Sequence, residues 1–295
     1  TLTKTIYKYQ LIVNIKLKNC RVCNSKKIKI FHTLKKMALG DKYSKKKNQY
    51  NQLLEINILK CKKCNHLQTS TIPDRVKIYS NYLSRPAAIN KNLAGQYLKY
   101  ANDLRNYIKK DDLIIDIGSN DGAFLNFFKS KGYKNIAGIE PAKNLAVQAN
   151  KNKILTYNTF FNEEVCNKIQ NKFKKKAKII LNNHSLSNVH NINEILFNVK
   201  SILSRKGIYS IQTFYTIDVY NKNLLENFNH EHLNFFTVTT IDKLAKRHGL
   251  EVIKAFHIDA KGGSIRTYLS HIGDYKVDKT IKKFLNIENK FFNTN

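Results

Sequence analysis

From residue 111 onward the chain repeats one pattern: a short apolar run, a turn, a helical stretch, then another apolar run. Leu113–Ile117 is the first run and is closed by Gly118; Ile136–Ile139 is the second and is closed by Glu140-Pro141. Residues 153–156, 179–181 and 207–214 follow, with helical stretches over 123–128, 143–149, 163–169 and 195–203 between them. Strands that alternate with helices predict a parallel sheet covered on both faces. Ligands of such sheets bind outside the carboxyl ends of the strands. A helix over 240–248 and two strands, 252–258 and 265–271, are expected to close the sheet.

Composition narrows the class. The 295 residues are 42% hydrophobic and 11% aromatic, enough to build a core and too much for a disordered chain. No stretch approaches the roughly 20 uncharged apolar residues of a membrane span. Residues 1–17 mix Lys and Tyr into an apolar run and lack a small-residue cleavage site, which argues against a signal peptide. Lys and Arg exceed Asp and Glu by 31. That excess raises the prospect of a polyanionic partner, a nucleic acid or a phosphorylated substrate. It is mostly lysine and is spread along the whole chain, however, so it reads as compositional bias as much as a binding surface. The one dense run, residues 172–178, is expected to be a solvated loop before a strand.

Four of the five cysteines form two C-x-x-C pairs, Cys20 with Cys23 and Cys61 with Cys64. Two such knuckles present four thiolates to one zinc ion. The 37 residues between the pairs imply an inserted hairpin. Disulfides are disfavoured because nothing marks the chain for secretion, and reduced thiols suit the cytoplasm. A four-thiolate site leaves no open coordination position, so its role is expected to be structural. Cys166 stands alone on an expected helix and reads as a small buried hydrophobe. Residues 65–74 read as a polar connection, and 76–108 as mostly helical, with Pro86 delaying one helix start.

The strongest chemical signal is Asp116-Ile-Gly118-Ser119-Asn120-Asp121-Gly122, directly after the first strand. Gly118 allows a tight turn and close approach of a ligand to the backbone. Asp121 would repel a pyrophosphate; it suits a ligand with a cationic amine and a sulfonium. Glu140 ends the second strand, 22 residues after Gly118, where a carboxylate can accept both hydroxyls of an adenosine ribose. Asn182, at the end of the fourth strand, is a candidate for the amino-acid part of such a ligand, or an ordinary strand-ending Asn. Phe160 and Phe161 are candidates to flank an adenine.

These residues resemble a class I S-adenosylmethionine-dependent methyltransferase. More narrowly, the chain is similar to the zinc-containing sugar C-methyltransferases, which act on nucleotide-linked 4-keto-deoxysugars. The similarity spans the four cysteines, Asp116 to Gly122, Gly138-Ile-Glu140-Pro141, Phe160-Phe161, Asn229-His230-Glu231-His232 and Lys261-Gly-Gly-Ser-Ile-Arg266. It implies an α/β chain with a Rossmann-like methyltransferase sheet, a four-cysteine zinc module, and only the start of a C-terminal domain. The expected division is a zinc module over 1–75, a helical linker over 76–110, the cofactor domain over 111–258 and the C-terminal start over 259–295. It implies S-adenosylmethionine bound by Asp116, Gly118, Ser119, Asn120, Asp121, Glu140 and Asn182, and a structural Zn2+ on Cys20, Cys23, Cys61 and Cys64.

The resemblance also implies the chemistry. A keto group acidifies the proton on the neighbouring carbon, a base removes it, and the enolate attacks the sulfonium methyl. His232 matches the family's proposed base, and an imidazole is well matched to that task near neutral pH. Glu231 and His230 are expected to fix its tautomer or bind the sugar. Tyr82, Asn229 and Arg266 are expected at the substrate, with Arg266 toward its phosphate. A metal reading of His230-Glu231-His232 is weaker, because adjacent residues on a strand face opposite ways. The chain departs from the family at Asn229, which replaces a Tyr, and at Asn188, which replaces a second His. The competing expectation, a zinc-bearing RNA-binding protein or RNA methyltransferase, explains the charge and the cysteines but not residues 229–232.

Overall fold

The computed structural model describes residues 15–34, 36–38, 53–80, 82–83 and 91–294. Ser84 and Pro86 lie outside them. The amino-terminal part is made of short strands: β1 (Ile15–Lys16), β2 (Ile28–Thr33), β3 (Met37–Ala38), β4 (Leu53–Leu54), β5 (Asn57–Cys61), β6 (Leu67–Thr69) and β7 (Thr71–Ile72). Helices α1 (Arg75–Tyr79) and α2 (Lys91–Leu104) lead into β8 (Leu113–Ile117), α3 (Ala123–Ser130), β9 (Ile136–Ile139), α4 (Lys143–Lys151), β10 (Thr156–Tyr157) and α5 (Glu163–Phe173). Then come β11 (Ala177–Asn183), α6 (Ile192–Ile202), β12 (Leu203–Phe214), α7 (Thr216–Asn221), β13 (Asn234–Phe235), α8 (Val238–Arg247), β14 (Leu250–Ile258), β15 (Ser264–His271) and α9 (Lys279–Thr294).

Seven strands form the main sheet in the order β10-β9-β8-β11-β12-β15-β14. The first five are parallel, and β15 runs antiparallel to both β12 and β14. The strand–helix alternation expected from sequence is therefore present, and β8 and β9 have the bounds read from it. β10 is shorter and later than expected, because Lys153 takes a left-handed turn conformation (φ 59°) after α4. The basic run over 172–178 is divided between the end of α5, a left-handed cap at Lys174 and the first residues of β11.

Side chains of the inner strands alternate between two cores. Leu113, Ile115 and Ile117 of β8 face one core with α5, α6 and α8; Ile114 faces the other, with Tyr100 and Leu104 of α2 and Phe124 of α3. Phe124 is central to the second core. Its ring stacks on Tyr97 at 4.5 Å and contacts Tyr100 at 5.0 Å and Phe128 at 5.7 Å. Cys166 of α5 is buried in the first core, and burial pushes its thiol up to about 12.

Two stretches pack differently from the expected division. Residues 259–295 were expected to open a separate domain, yet β15 lies inside the main sheet between β12 and β14. Helix α9 also packs back: Glu288, only 1% exposed, accepts the Val238 and Thr239 N–H groups at 2.8 Å each, at the start of α8. A carboxylate there matches the positive end of the helix dipole. Residues 65–74 are not a polar connection either. β6 lies in them, and β13 adds to its free edge, giving a four-stranded sheet β13-β6-β5-β2. The amino-terminal strands are thus joined to the segment between β12 and α8. Among the described residues no helix is long and apolar enough to cross a membrane.

Replacing Phe124 with Ala should lower unfolding stability by about 3–5 kcal/mol in urea melts. A loss under about 1 kcal/mol would contradict its place in the second core.

Candidate active site

The strand order reverses beside β8, with β9 and β10 on one side and β11 and β12 on the other. Such a reversal leaves a crevice outside the carboxyl ends of the strands. An open crevice of about 300 Å³ lies there, lined by Ile117 and Gly118 at the end of β8, Ile139 and Glu140 at the end of β9, and Asn183, His184 and Ser185 at the end of β11. Tyr82, Tyr97, Phe160, Phe161, Asn188 and Lys261 complete its walls.

The backbone at its mouth is tightly drawn. Gly118 has φ 76°, and a Cβ there would lie 2.7 Å from the Ser185 Cβ. The N–H groups of Gly118 and Ser119 both donate to the Ile139 carbonyl, at 2.9 and 3.2 Å. This ties the turn after β8 to the end of β9. Glu140 completes the tie: its Oε2 accepts the Asn120 N–H and its Oε1 the Ala142 N–H, each at 2.9 Å. Each oxygen retains a further lone-pair direction for a ligand hydroxyl. Burial raises the Glu140 pKa, and the two N–H groups oppose the rise.

Asp116 shares its strand face with Ile114 and points toward α2. It is 3% exposed, and its Oδ1 has no hydrogen-bond partner among the described residues. Burial, reinforced by the Glu140 charge, pushes its pKa up to about 8.

Asp116 and residues 229–232 are not among the residues that line the crevice. Four other expected ligand contacts also lie away from its walls. The Ser119 side chain packs against Gly138, where an added Cβ would come within 2.5 Å of its Oγ. Asp121 accepts the Ala123 N–H, the first of α3, at 3.1 Å. Asn182 turns to the other strand face, donating to the Tyr209 hydroxyl at 3.2 Å and accepting from Ser185 Oγ at 2.6 Å. Its neighbour Asn183 takes the crevice position instead. Arg266 is buried under α2, paired with Asp103 at 3.0 Å, bonded to Gln212 and lying 3.4 Å from the Tyr100 ring centroid. Those partners occupy the guanidinium that was expected at a phosphate.

Residues 229–232 form an irregular loop, not a strand, so the alternate-face argument does not apply to them. Asn229 holds the loop from within. Its Oδ1 accepts the Glu231 and His232 N–H groups at 2.8 and 3.1 Å, and its Nδ2 donates to the Glu226 carbonyl at 3.0 Å. His232 Nδ1 lies 2.8 Å from the Asn227 carbonyl. Asn229 Nδ2, which already donates to Glu226, lies 3.2 Å from the same nitrogen. The carbonyl is nearer and only accepts, so the neutral ring carries its proton on Nδ1 and a lone pair on Nε2. Asn227 sets this tautomer, in place of the expected Glu231 or His230. Burial holds the His232 pKa down to about 4. Tyr82 donates from its hydroxyl to Glu231 Oε2 at 3.0 Å, while Glu231 Oε1 is 3.8 Å from His230 Nε2.

Sequence reasoning gave no role to Asn183, His184, Lys261 or Arg75. The first two follow a strand whose carboxyl end was already marked as ligand-facing, and that was the available signal. Arg75 lies 4.3 Å over the Phe160 ring, a long-range contact with no local trace.

The four paired cysteines converge: their sulfurs all lie within 4.8 Å of one another, with Cys20–Cys64 and Cys23–Cys61 each at 3.6 Å. Arg21, between the first two, is buried and donates to the Leu233 carbonyl and to Asn234 Oδ1. The knuckle therefore grips the residue that follows His232.

Asp116 has a consequence for pH. A carboxyl whose folded pKa lies above its unfolded value of about 3.9 stabilises the fold fully below that value and loses the contribution as pH rises toward 8. Asp116→Asn should flatten the decline in melting temperature between pH 4 and 8; an unchanged slope would remove Asp116 as its source.

Residues 89–255 match a family model described as a methyltransferase domain. The C-methyltransferase NovU of Streptomyces niveus is 25% identical over 237 residues, covering 79% of this chain and 56% of NovU. The chain thus spans little more than half the length of that relative. Among solved structures, a S-adenosylmethionine-dependent methyltransferase from Clostridium acetobutylicum aligns over 63% of this chain and 94% of its own, at 11% identity and TM-score 0.48. The magnesium protoporphyrin IX methyltransferase of Synechocystis, with bound SAH, aligns over 61% and 82%, at 9% identity and TM-score 0.44. With the matched family stretch spanning more than half of its residues, the chain belongs to the methyltransferase domain family.

Proposed function

We propose that this methyltransferase acts on carbon, beside the keto group of a nucleotide-linked sugar. The observation that carries the reading is His232, whose Nδ1 proton is engaged by Asn227 and whose Nε2 lone pair is left to accept a proton. The similarity to a C-methyltransferase supports it.

The residues at the strand ends fit the cofactor. Glu140 presents anchored carboxylate oxygens for ribose hydroxyls, and the unpartnered oxygen of Asp116 suits a cationic group. Phe160, braced by Arg75, and Phe161 offer apolar surface for an adenine. S-adenosylmethionine supplies a methyl group on a sulfonium, already activated for transfer. The protein must then orient the acceptor and remove its proton. His232 takes that proton at Nε2. Its low pKa keeps the ring unprotonated at neutral pH, and also makes it a weak base, so the substrate carbonyl has to be polarised. Tyr82 and Glu231, linked by their hydrogen bond, would position the sugar.

In calorimetric titrations Glu140→Ala should bind S-adenosylmethionine at least about tenfold more weakly, the loss of roughly one charge-assisted hydrogen bond. His232→Ala should keep cofactor affinity while turnover falls by about 10²–10⁴-fold. Turnover would be read as methylated product by mass spectrometry over a panel of nucleotide-linked keto-sugars. Full activity of His232→Ala excludes it as the base.

The four cysteines fit a structural zinc ion. Tetrahedral Zn–S bonds of about 2.3 Å place sulfurs about 3.8 Å apart, close to the observed separations, whereas a disulfide needs about 2.05 Å. Such a site would fix the knuckle from which Arg21 holds Leu233. Elemental analysis should find one zinc per chain, lost together with thermal stability in Cys20→Ser. Metal-free protein with an unchanged melting temperature refutes the assignment.

A further inference from the structure

We infer that His184 is a second catalytic residue, whose Nδ1–H donates to the substrate keto oxygen and holds the negative charge that forms there on deprotonation. The inference rests on the carbon-methylation reading above and assigns a role to a different side chain.

A chain of contacts fixes the His184 tautomer. Asp103 and the face of Tyr100 hold Arg266 in place. Arg266 Nε donates to Gln212 Oε1 at 2.9 Å. An arginine nitrogen cannot accept, so the Gln212 amide oxygen must face it and the amide nitrogen must face away. That nitrogen lies 3.3 Å from His184 Nε2. It can only donate, so His184 Nε2 accepts and the ring proton resides on Nδ1. Nδ1 is buried and has no hydrogen-bond partner among the described residues. Buried N–H groups are nearly always paired, so an orphan in a crevice wall calls for a ligand acceptor. His184 lines the crevice and sits in the left-handed region at φ 55°, a conformation that histidine adopts at a cost and that clusters at functional sites.

The two imidazoles are set in opposite states. His232 has its donor engaged and its lone pair available; His184 has its lone pair engaged and its donor available. Both rings contact Phe214, His184 at 5.4 Å and His232 at 4.5 Å between centroids. Burial, and then the charges of Lys261, His232 and Arg266, hold the His184 pKa well below its usual range, so the ring remains a neutral donor. Lys261 lines the same crevice.

The step balances. The C–H bond beside the carbonyl breaks and its proton passes to His232 Nε2. The C–H electron pair becomes the enolate double bond, and the carbonyl π pair moves to the oxygen held by His184. The enolate carbon then bonds to the methyl group as the carbonyl re-forms. The sulfur keeps the broken bond's electrons as a neutral thioether, and His232 releases its proton to water.

The test has two arms. Nitrogen-15 NMR of the wild-type protein at neutral pH should show His184 neutral and protonated on Nδ1; protonation on Nε2, or an imidazolium, overturns the assignment. The second arm measures deuterium uptake from solvent at the carbon beside the keto group, with a thymidine-diphosphate-linked 4-keto-6-deoxyhexose as probe and S-adenosylhomocysteine present. His184→Leu should slow uptake and methyl transfer about 10²–10³-fold, the loss typical of one oxyanion donor, with S-adenosylmethionine affinity retained. His184→Asn, which tolerates the left-handed backbone and offers an amide N–H, should recover part of it. Uptake by wild type that His184→Leu leaves unchanged overturns the role of His184 alone. Neither uptake nor transfer by wild type overturns the carbon-methylation reading, and the inference with it. Should His184→Leu fail to fold, the first arm still decides.

Discussion

A parallel sheet buried on both faces can offer a ligand only the rim where its strands run out. In this protein everything at that rim depends on the two-residue alternation of the strands. Asp116 and Asn183 lie on the α2 side of the sheet, while Ile117 and Asn182 take the opposite parity. A shift of one residue in β11 would exchange Asn182 for Asn183 and bury the polar atoms that now meet the crevice. The register of β8 with β9 and β11, set by the apolar alternation further down the strands, therefore fixes which polar groups are presented.

Electrostatics at the rim runs against the composition. The chain carries a formal charge of +31, yet the two groups nearest the turn after β8 are carboxyls, and both are held above their ordinary pKa by burial. Burial acts in the opposite sense on His184 and His232, keeping both imidazoles neutral. One physical cause, loss of water around an ionised group, thus prepares acids that favour a cationic neighbour and imidazoles that can exchange or share a proton. Most of the lysines that dominate the net charge are solvated, but Lys261, in the crevice wall, adds to the lowering of both imidazoles.

The loop bearing His232 is held from several directions. Asn229 ties its turn, Asn227 fixes the ring, Ser187 accepts the Leu233 N–H at 2.8 Å, and Arg21 of the cysteine knuckle binds the Leu233 carbonyl. β13 continues directly into a pairing with β6. The amino-terminal strands are thus part of the scaffold of the candidate site. On the other side, α9 steadies α8 through Glu288, so both ends of the described chain brace the segment between β12 and β14.

The sequence alone carried the sheet and its order of elements, because apolar runs and glycine turns are local signals that burial on both faces imposes. It carried the turn after β8, the place of Glu140 and the convergence of four cysteines for the same reason: short spacings dictate short-range geometry. It did not carry the antiparallel position of β15 beside β12 or the addition of β13 to β6, since strand pairing across 50 or more residues leaves no local trace. The side chains of Asp121, Asn182 and Arg266, expected at ligands, meet protein partners in the fold, and that of Ser119 is buried against Gly138. The tautomers of His184 and His232 were likewise decided by the tertiary structure. A ring nitrogen takes its proton from whichever donor or acceptor lies beside it, and those neighbours, Gln212 and Asn227, are placed by the fold rather than by the residues that flank each histidine.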